Sequence, residues 1–480
     1  MAIKVDTDQG RNYDSILLDI INYVYGYKIQ SPTAFRNAKA ALLDALGCAF
    51  ESLQESKELC CMIGPVWAGA DIAPDGFKLP GTGYQLDPLK GAFDLGSMIR
   101  YLDHNDAFPG AEWGHPSDNI GAILVIAISD MAPPSTLETV LTAMIKAYEI
   151  QGCFQIKNAF NKVGLDHTIL VKIASTAVVC WMLGLTTDQA LSALSHAWMD
   201  GHPLRVYRQS PNAGPRKGWA AGDACMRAVH IAFLAGAGQP GAPTVLTQPK
   251  WGFYNSLFRG QTFDLPRPFG SWTMENIIFK VHTAEGHGMS AVEAAVATSN
   301  KMQRRGIVIE DISHVRIRTQ EAGMIIINKP LETLSNAADR DHCMQYMVAV
   351  CLIKGAMIET ADYQNDSPWA NDERVETLRA KIEMVEDPQY TADYHDPLVR
   401  SCANAVLVTL KDGTELPEAV VDYPLGHPKR NETVSAVRGK ARRNLSLKLP
   451  QERVGLIMDT SEDSSFLQMP VTDFVDMFIP

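Results

Sequence analysis

Between Asp14 and Met274 the chain repeats one pattern, apolar residues at helical spacing behind a capping residue, and strand-like alternation is scarce there. Such a stretch must bury one stripe per helix, which restricts it to helices packed on helices. Ile16, Leu17, Ile20, Ile21, Tyr23 and Val24 form the first stripe, behind Asp14 and Ser15. Ser31 predicts a cap and Pro32 a first helical position, with Phe35, Ala38, Leu42 and Leu46 on one face and an end near Gly47. Asp87 to Arg100 again has helical spacing, after a Pro/Gly-rich passage from Gly64 to Pro88. Ser135 with Glu138, and Thr186 with Gln189, predict capping boxes for Val140–Ile150 and Ala190–Trp198. His167 to Leu185 is apolar, but Lys172 interrupts it and the run barely reaches a membrane's thickness, so a buried core helix is expected. Gly236, Gly238 and Gly241 spell a GxGxxG that follows a helix and contains Pro240, which argues against a dinucleotide site.

After Met274 the texture changes. Val315 and Ile317 alternate with Arg316 and Arg318, and Ala405–Leu410 meets Leu416–Val421 across Lys411, Asp412, Gly413 and Thr414, an Asp-Gly hairpin signal. The expected fold class is mainly α: a helical domain over 1–275, a smaller α+β domain over 276–432, and a segment 433–480 returning to the first, with a helix over Val471–Phe478.

A net charge of −12 lacks the basic footprint that nucleic acid or an anionic membrane requires, so neither partner is expected. Nine cysteines without CxxC spacing suggest reduced thiols and supply no iron–sulfur ligand set. The opening MAIKVDTDQGRNYDS reads as neither signal nor transit peptide, and the expected location is the cytoplasm.

Chemistry concentrates in one stretch. Tyr101 to Asn119 packs Asp103, His104, Asp106, Glu112, His115 and Asp118 between two hydrophobic segments, a density that a plain connecting loop seldom needs. Pro116 fits a first helical position, which puts His115 at a helix mouth, where free N–H groups attract carboxylates and disfavour a charged imidazole. The arrangement recurs: Asp166 caps a helix expected to begin at His167, Gly214 and Pro215 open one with Lys217 in its first turn, and Ser290 with Glu293 predicts a capping box just after His287. Four proton-bearing or cationic residues at helix starts suit a polycarboxylate ligand, while each histidine taken singly also fits a buried side chain with a satisfied hydrogen bond. Arg205, Arg208, Arg216 and Lys217 form a basic cluster that reads either as a carboxylate pocket or as a solvated loop. None of the histidines has HxxxH or HxH spacing, so no metal is expected.

These residues sit in longer motifs: AEWGHPSDN (111–119), VGLDH (163–167), LVKIASTAVV (170–179), WGFY (251–254), MEN (274–276), DRDHCMQYMVA (339–349) and TADYHDP (391–397). Together they resemble the MmgE/PrpD family, nearly end to end. The resemblance implies a homodimer of two-domain subunits and metal-independent, cofactor-free chemistry on a small tricarboxylate. That chemistry is loss of water from 2-methylcitrate or, in one branch, loss of carbon dioxide from cis-aconitate; loss of water from a 2-alkylcitrate, methyl or longer, is the activity expected here, and a catalytically silent partner subunit is the third possibility. It carries over Asp103, His115, His167, Lys217 and His287 as site residues; from the basic cluster, Arg208 and Arg205 are expected to bind carboxylates. Two places depart from the family's dehydratase pattern. Asp106-Ala107-Phe108 stands where DTW is usual, and Glu285-Gly286-His287-Gly288-Met289 where the pattern reads EFHSQ. Ala107, Gly286 and Met289 therefore imply a substrate-binding wall that is less polar and less filled, suited to an alkyl group longer than methyl.

Overall fold

A computed structural model describes residues 12–67, 73, 76–209, 211–330, 333–396 and 398–480. The opening residues that were read for a leader, part of the Gly64–Pro88 passage, and Pro397 of the TADYHDP motif lie outside them. The chain is mainly helical, with two small sheets among the described residues. Its contacts separate two units, Met1–Ile277 with Arg438–Pro480, and Ile278–Val437.

The first unit is helix packed on helix, with one short hairpin of Phe77–Lys78 and Gln85–Leu86. Local signals set several boundaries. Ser31 accepts from Ala34 N to open the helix Pro32–Glu55, Asp87 accepts from Leu89 and Lys90 N to open Pro88–Arg100, and the Thr186–Gln189 capping box opens Thr187–Met199. The Ser135–Glu138 box does not form: the helix Leu137–Lys157 starts at Thr136, and the Ser135 hydroxyl donates to Pro133 O. Nor does Gly47 end its helix, which continues to Glu55. A Cβ at Gly47 would stand 3.2 Å from Ala441 Cα, so the glycine admits the backbone of the helix Thr433–Leu445.

Three helices that carry the candidate site, Pro88–Arg100, Ile120–Ala127 and Arg216–Gly236, cross at glycines. A Cβ on Gly121 would lie 2.7 Å from Gly96 N, and one on Gly96 2.9 Å from Gly222 Cα. Backbone on backbone leaves no side chain to yield, so this crossing is held to a single spacing. Thr168–Met182 is buried nearly throughout, as expected, and no helix among the described residues is long and apolar enough to cross a membrane.

In the second unit the helices Met289–Arg304 and Met344–Lys354 accompany a four-stranded sheet. Its order is Ile382–Glu386, Ile312–Thr319, Asn404–Leu410, Ala419–Val421, the first pair parallel and the others antiparallel. Val315 pairs with Val408 and Ile317 with Val406, which puts the alternating apolar residues on one buried face. The Asp-Gly turn forms as expected, with Gly413 at φ 86°.

Candidate active site

The Pro88 helix ends in a sharp reversal. Asp103 adopts φ 55°, a left-handed conformation that Asp tolerates better than most residues, and its N–H returns to Arg100 O. The turn brings Arg100 Nη1 to 2.6 Å from Asp103 Oδ1. From there the loop is tied down along its length. Lys440 donates to His104 O and ion-pairs with Asp44, His104 Nδ1 lies 2.7 Å from Glu51 Oε2, and Gln155 Nε2 donates to Phe108 O and Glu112 O. Cys48, Glu51 and His104 have the donor types of a metal site, with ligand atoms within 4.8 Å of one another, but the buried Lys440 ammonium already supplies the positive charge of this cluster.

His115 ends the loop. Its Nδ1 is 2.7 Å from Asp106 O, and because a carbonyl only accepts, Nδ1 carries the hydrogen and Nε2 the lone pair of the neutral ring. Asp103 Oδ1 stands 3.5 Å from that Nε2. The His167 ring lies close by, with centroids 5.5 Å apart. Burial, aided by Arg208 and Arg100 and only partly opposed by Asp166, holds His167 well below the ordinary imidazole range, so it is neutral near pH 7. Burial would raise Asp166, but Arg208 grips it with Nε at 2.5 Å and Nη2 at 3.1 Å and holds it well below the carboxylate range.

The helix mouths do not present free N–H groups to a ligand at three of the four positions. The first turn after His115 is a 3-10 turn, Pro116–Asn119, and Ser117 N donates to Asp106 Oδ1. His167 is the N-cap rather than the first residue of its helix, and Thr168 N donates to Asp166 Oδ1. Before Met289–Arg304, His287 N donates to Glu285 Oε2. Each mouth takes a carboxylate from its own chain, the nearest anion and one already attached. The Ser290–Glu293 box is likewise absent, since Ser290 donates to Cys402 O while Glu293 accepts from Leu425 N and pairs with Arg430.

The structure gathers Asp103, His115, His167 and Arg208 within the first unit. Lys217 is buried in the first turn of Arg216–Gly236, and Gly218 seats that turn against Tyr101, where a Cβ would lie 2.9 Å from Tyr101 Cα. The basic cluster splits up: Arg208 is committed to Asp166, Arg205 faces Glu112 at 3.5 Å and Asp166 at 3.7 Å, and Arg216 stacks over Trp219. Ala107 is fully buried between Asp106 and the Phe108–Gly114 bridge.

In the second unit His287 is buried in the 3-10 turn Gly286–Gly288, with Nδ1 3.1 Å from Glu285 and Nε2 3.2 Å from the Tyr394 hydroxyl. Burial would raise Glu285, but His287, His342 and Lys280 bring it down to about 2. Asn404 donates to His287 O, and Met289 is fully buried at the start of the following helix. The sequence by itself assigns no individual role to Arg100, Asp118, Glu285, Tyr394 or Asn404. Arg100 had a visible signal, an i,i+3 partner to Asp103; Asn404 had none.

A model of the MmgE/PrpD N-terminal domain matches residues 18–266, and one of its C-terminal domain matches residues 282–463. The chain belongs to the MmgE/PrpD family. Among MmgE/PrpD relatives it is 62% identical to the 2-methylcitrate dehydratase-like protein oryR of Aspergillus oryzae, over 99% of this chain and 97% of that one. It is 48% identical to the alkylcitrate dehydratase phiI of a fungal species, over 97% and 94% of the two chains, and 49% identical to the 2-methylcitrate dehydratase of Cupriavidus necator over the whole of both. Asp103, His115, His167, Arg208 and Lys217 lie in the span of the MmgE/PrpD N-terminal domain, and Glu285, His287 and Tyr394 in that of the C-terminal domain.

Proposed function

We propose that this chain is a hydro-lyase that removes water from a 2-alkylcitrate to give the alkyl-aconitate. The observation that carries the proposal is His115: its Nδ1 bond to Asp106 O puts the basic lone pair on Nε2, next to the Asp103 carboxylate that would stabilise the imidazolium formed. The names of the relatives, dehydratases of 2-methylcitrate and alkylcitrate, supply the substrate class. His115 takes the proton α to a carboxylate. His167, kept neutral by burial and the surrounding arginines, accepts a hydrogen bond from the departing hydroxyl, and Lys217 holds a carboxylate. Arg208 and Arg205 act on the same ligand through the field they share with Asp166.

A catalytic role is also proposed for His287, held by Glu285 and Tyr394 in the second unit, and His287→Ala is expected to lower turnover. The first unit corresponds to the family's helical domain and the second to its smaller α+β domain. The active species is proposed to be a homodimer, which light scattering would test. Nine free thiols support a cytoplasmic location. Dialysis against a chelator is expected to leave activity unchanged, because neither the histidine nor the cysteine spacing supplies a ligand set; loss restored by one metal would refute this.

Product analysis after incubation with citrate, 2-methylcitrate, longer 2-alkylcitrates and cis-aconitate tests the proposal. The expected product is the alkyl-aconitate, and release of carbon dioxide from cis-aconitate, or no product at all, overturns it. His115→Ala is expected to lower kcat by roughly two to four decades with the fold intact.

A further inference from the structure

Asp118 is fully buried in the 3-10 turn that follows His115, and its two oxygens have different surroundings. Oδ1 accepts from Asn105 Nδ2 at 2.9 Å and stands 3.8 Å from Arg100 Nε. Oδ2 has no hydrogen-bond partner among the described residues, and neither does His167 Nε2, which faces it at 4.0 Å. An oxygen about 2.8 Å from each of two atoms 4.0 Å apart sees them roughly 90° apart, near the angle between the O–H and lone-pair directions of a hydroxyl. One such oxygen fits between the two groups as donor to one and acceptor from the other.

Charge decides which group plays which part. Asp166 Oδ1, 3.6 Å from His167 Nδ1, favours the hydrogen on that nitrogen and leaves Nε2 as the acceptor. Asp118 must then be the donor, so it must carry a proton. The two arginines that act on Asp118 are committed to other carboxylates: Arg100 contacts Asp103 at 2.6 Å, and Arg208 is bidentate on Asp166. Two carboxylates near one arginine cannot both ionise cheaply in a buried site, and Asp118 is the more distant of the pair.

We propose that Asp118 is the acid of the elimination, its Oδ2 giving a proton to the hydroxyl that leaves while His167 Nε2 accepts a hydrogen bond from that hydroxyl. In the balanced step His115 Nε2 takes the α-proton, and the C–H electron pair becomes the new C=C bond. The C–O bond breaks with its electrons on oxygen, and the Asp118 proton completes the water. His115 then holds one proton more and Asp118 one fewer, and exchange with solvent restores both. The groups that set the titration of Asp118 are Arg100, Asn105 and Asp106 from the preceding helix and loop, and His167 and Arg208 beyond it. Burial, opposed by Arg100 and Asn105, pushes it up to about 7, where a carboxylic acid is both present and able to donate.

This inference rests on the dehydratase function proposed above, and the test separates the two. In wild type, kcat/KM for a 2-alkylcitrate falls as pH rises through an apparent pKa near 7, because the acid form is lost. Asp118→Asn is expected to lower kcat roughly 100-fold or more, with KM within about threefold, and to abolish the alkaline limb. A merely structural role lowers the rate with the limb unmoved, which overturns the inference and leaves the function standing. Carboxyl 13C NMR of the resting protein reads Asp118 without substrate. The resonance missing from Asp118→Asn titrates near neutrality, and one already ionised at about pH 5 overturns the inference even if wild type proves to turn over no alkylcitrate. Should Asp118→Asn not fold, Asn105→Ala removes the donor that favours the ionised form and moves the limb to higher pH; an unmoved limb overturns the inference.

Discussion

Asp103 and Asp118 are the same side chain in the same loop, fifteen positions apart, and the structure gives them opposite electrostatic duties. Asp103 has the Arg100 guanidinium at 2.6 Å, whereas Asp118 has it at 3.8 Å and accepts one hydrogen bond from Asn105. The difference has a consequence for stability. A carboxyl whose folded pKa is raised contributes its stability below the unfolded pKa near 4 and loses it as pH rises through the folded value of about 7. Asp118→Asn, which cannot ionise, should therefore gain on wild type between about pH 4 and pH 8, by on the order of 4 kcal/mol at most. Urea melts of both proteins at the two ends of that range check this, and a difference that does not change with pH would show Asp118 ionised throughout. Arg208 and Asp166 behave in the other sense: a bidentate buried pair with Asp166 held low, so Arg208→Ala strands a charge and should cost about 3–5 kcal/mol.

Among the elements, the glycine crossing holds the chemistry in register. The Pro88 helix leads into Arg100 and Asp103, the Ile120 helix follows His115 and Asp118, and the Arg216 helix begins with Lys217. A Cβ at Gly222 would meet the Phe93 carbonyl and come within 2.9 Å of Ser97 N, and backbone cannot rotate away. Gly222→Ala should destabilise by roughly 1–3 kcal/mol and lower kcat as well, because the helix starts separate. Gly439 lies in a helix with nothing within 4 Å of its Cβ position, so Gly439→Ala should be neutral or stabilising by about 0.5–1 kcal/mol. Thermal melts and kcat for the two variants make the comparison, and equal losses would remove the crossing from the account.

For the whole molecule, the substrate's size is the open variable. Ala107, Gly286 and Met289 stand where the family resemblance implies bulkier or more polar residues. The proposed preference is for an alkyl group longer than methyl. Each added buried methylene contributes about 0.8 kcal/mol, so two or three give roughly one to two decades in kcat/KM. Rates across methyl-, propyl- and hexylcitrate measure it. A maximum at methyl refutes the preference, and a rise with chain length that Ala107→Thr or Gly286→Phe abolishes supports it.

Short-range physics was legible in the chain. Helical period, the Ser31 and Thr186 caps, and the Asp-Gly turn each depend on residues within a few positions, and each formed as the local pattern demands. The gathering of ionisable groups between Asp103 and Asp118 was also visible, as was the pairing of His115 with His167 as candidates. What the chain could not reveal is which neighbour wins when several compete. Ser135 and Ser290 look like caps, but Pro133 O and Cys402 O take their hydroxyls; Gly47 looks like a stop, but a helix from the other end of the chain needs its missing side chain. The helix mouths promised a ligand's carboxylate, and the folded chain fills three of them with Asp106, Asp166 and Glu285. Charge state is the furthest from local: whether Asp118 keeps a proton depends on burial and on which carboxylate Arg100 and Arg208 reach first. Hydrogen bonds and ion pairs are won by distance in space, and only the tertiary structure sets those distances.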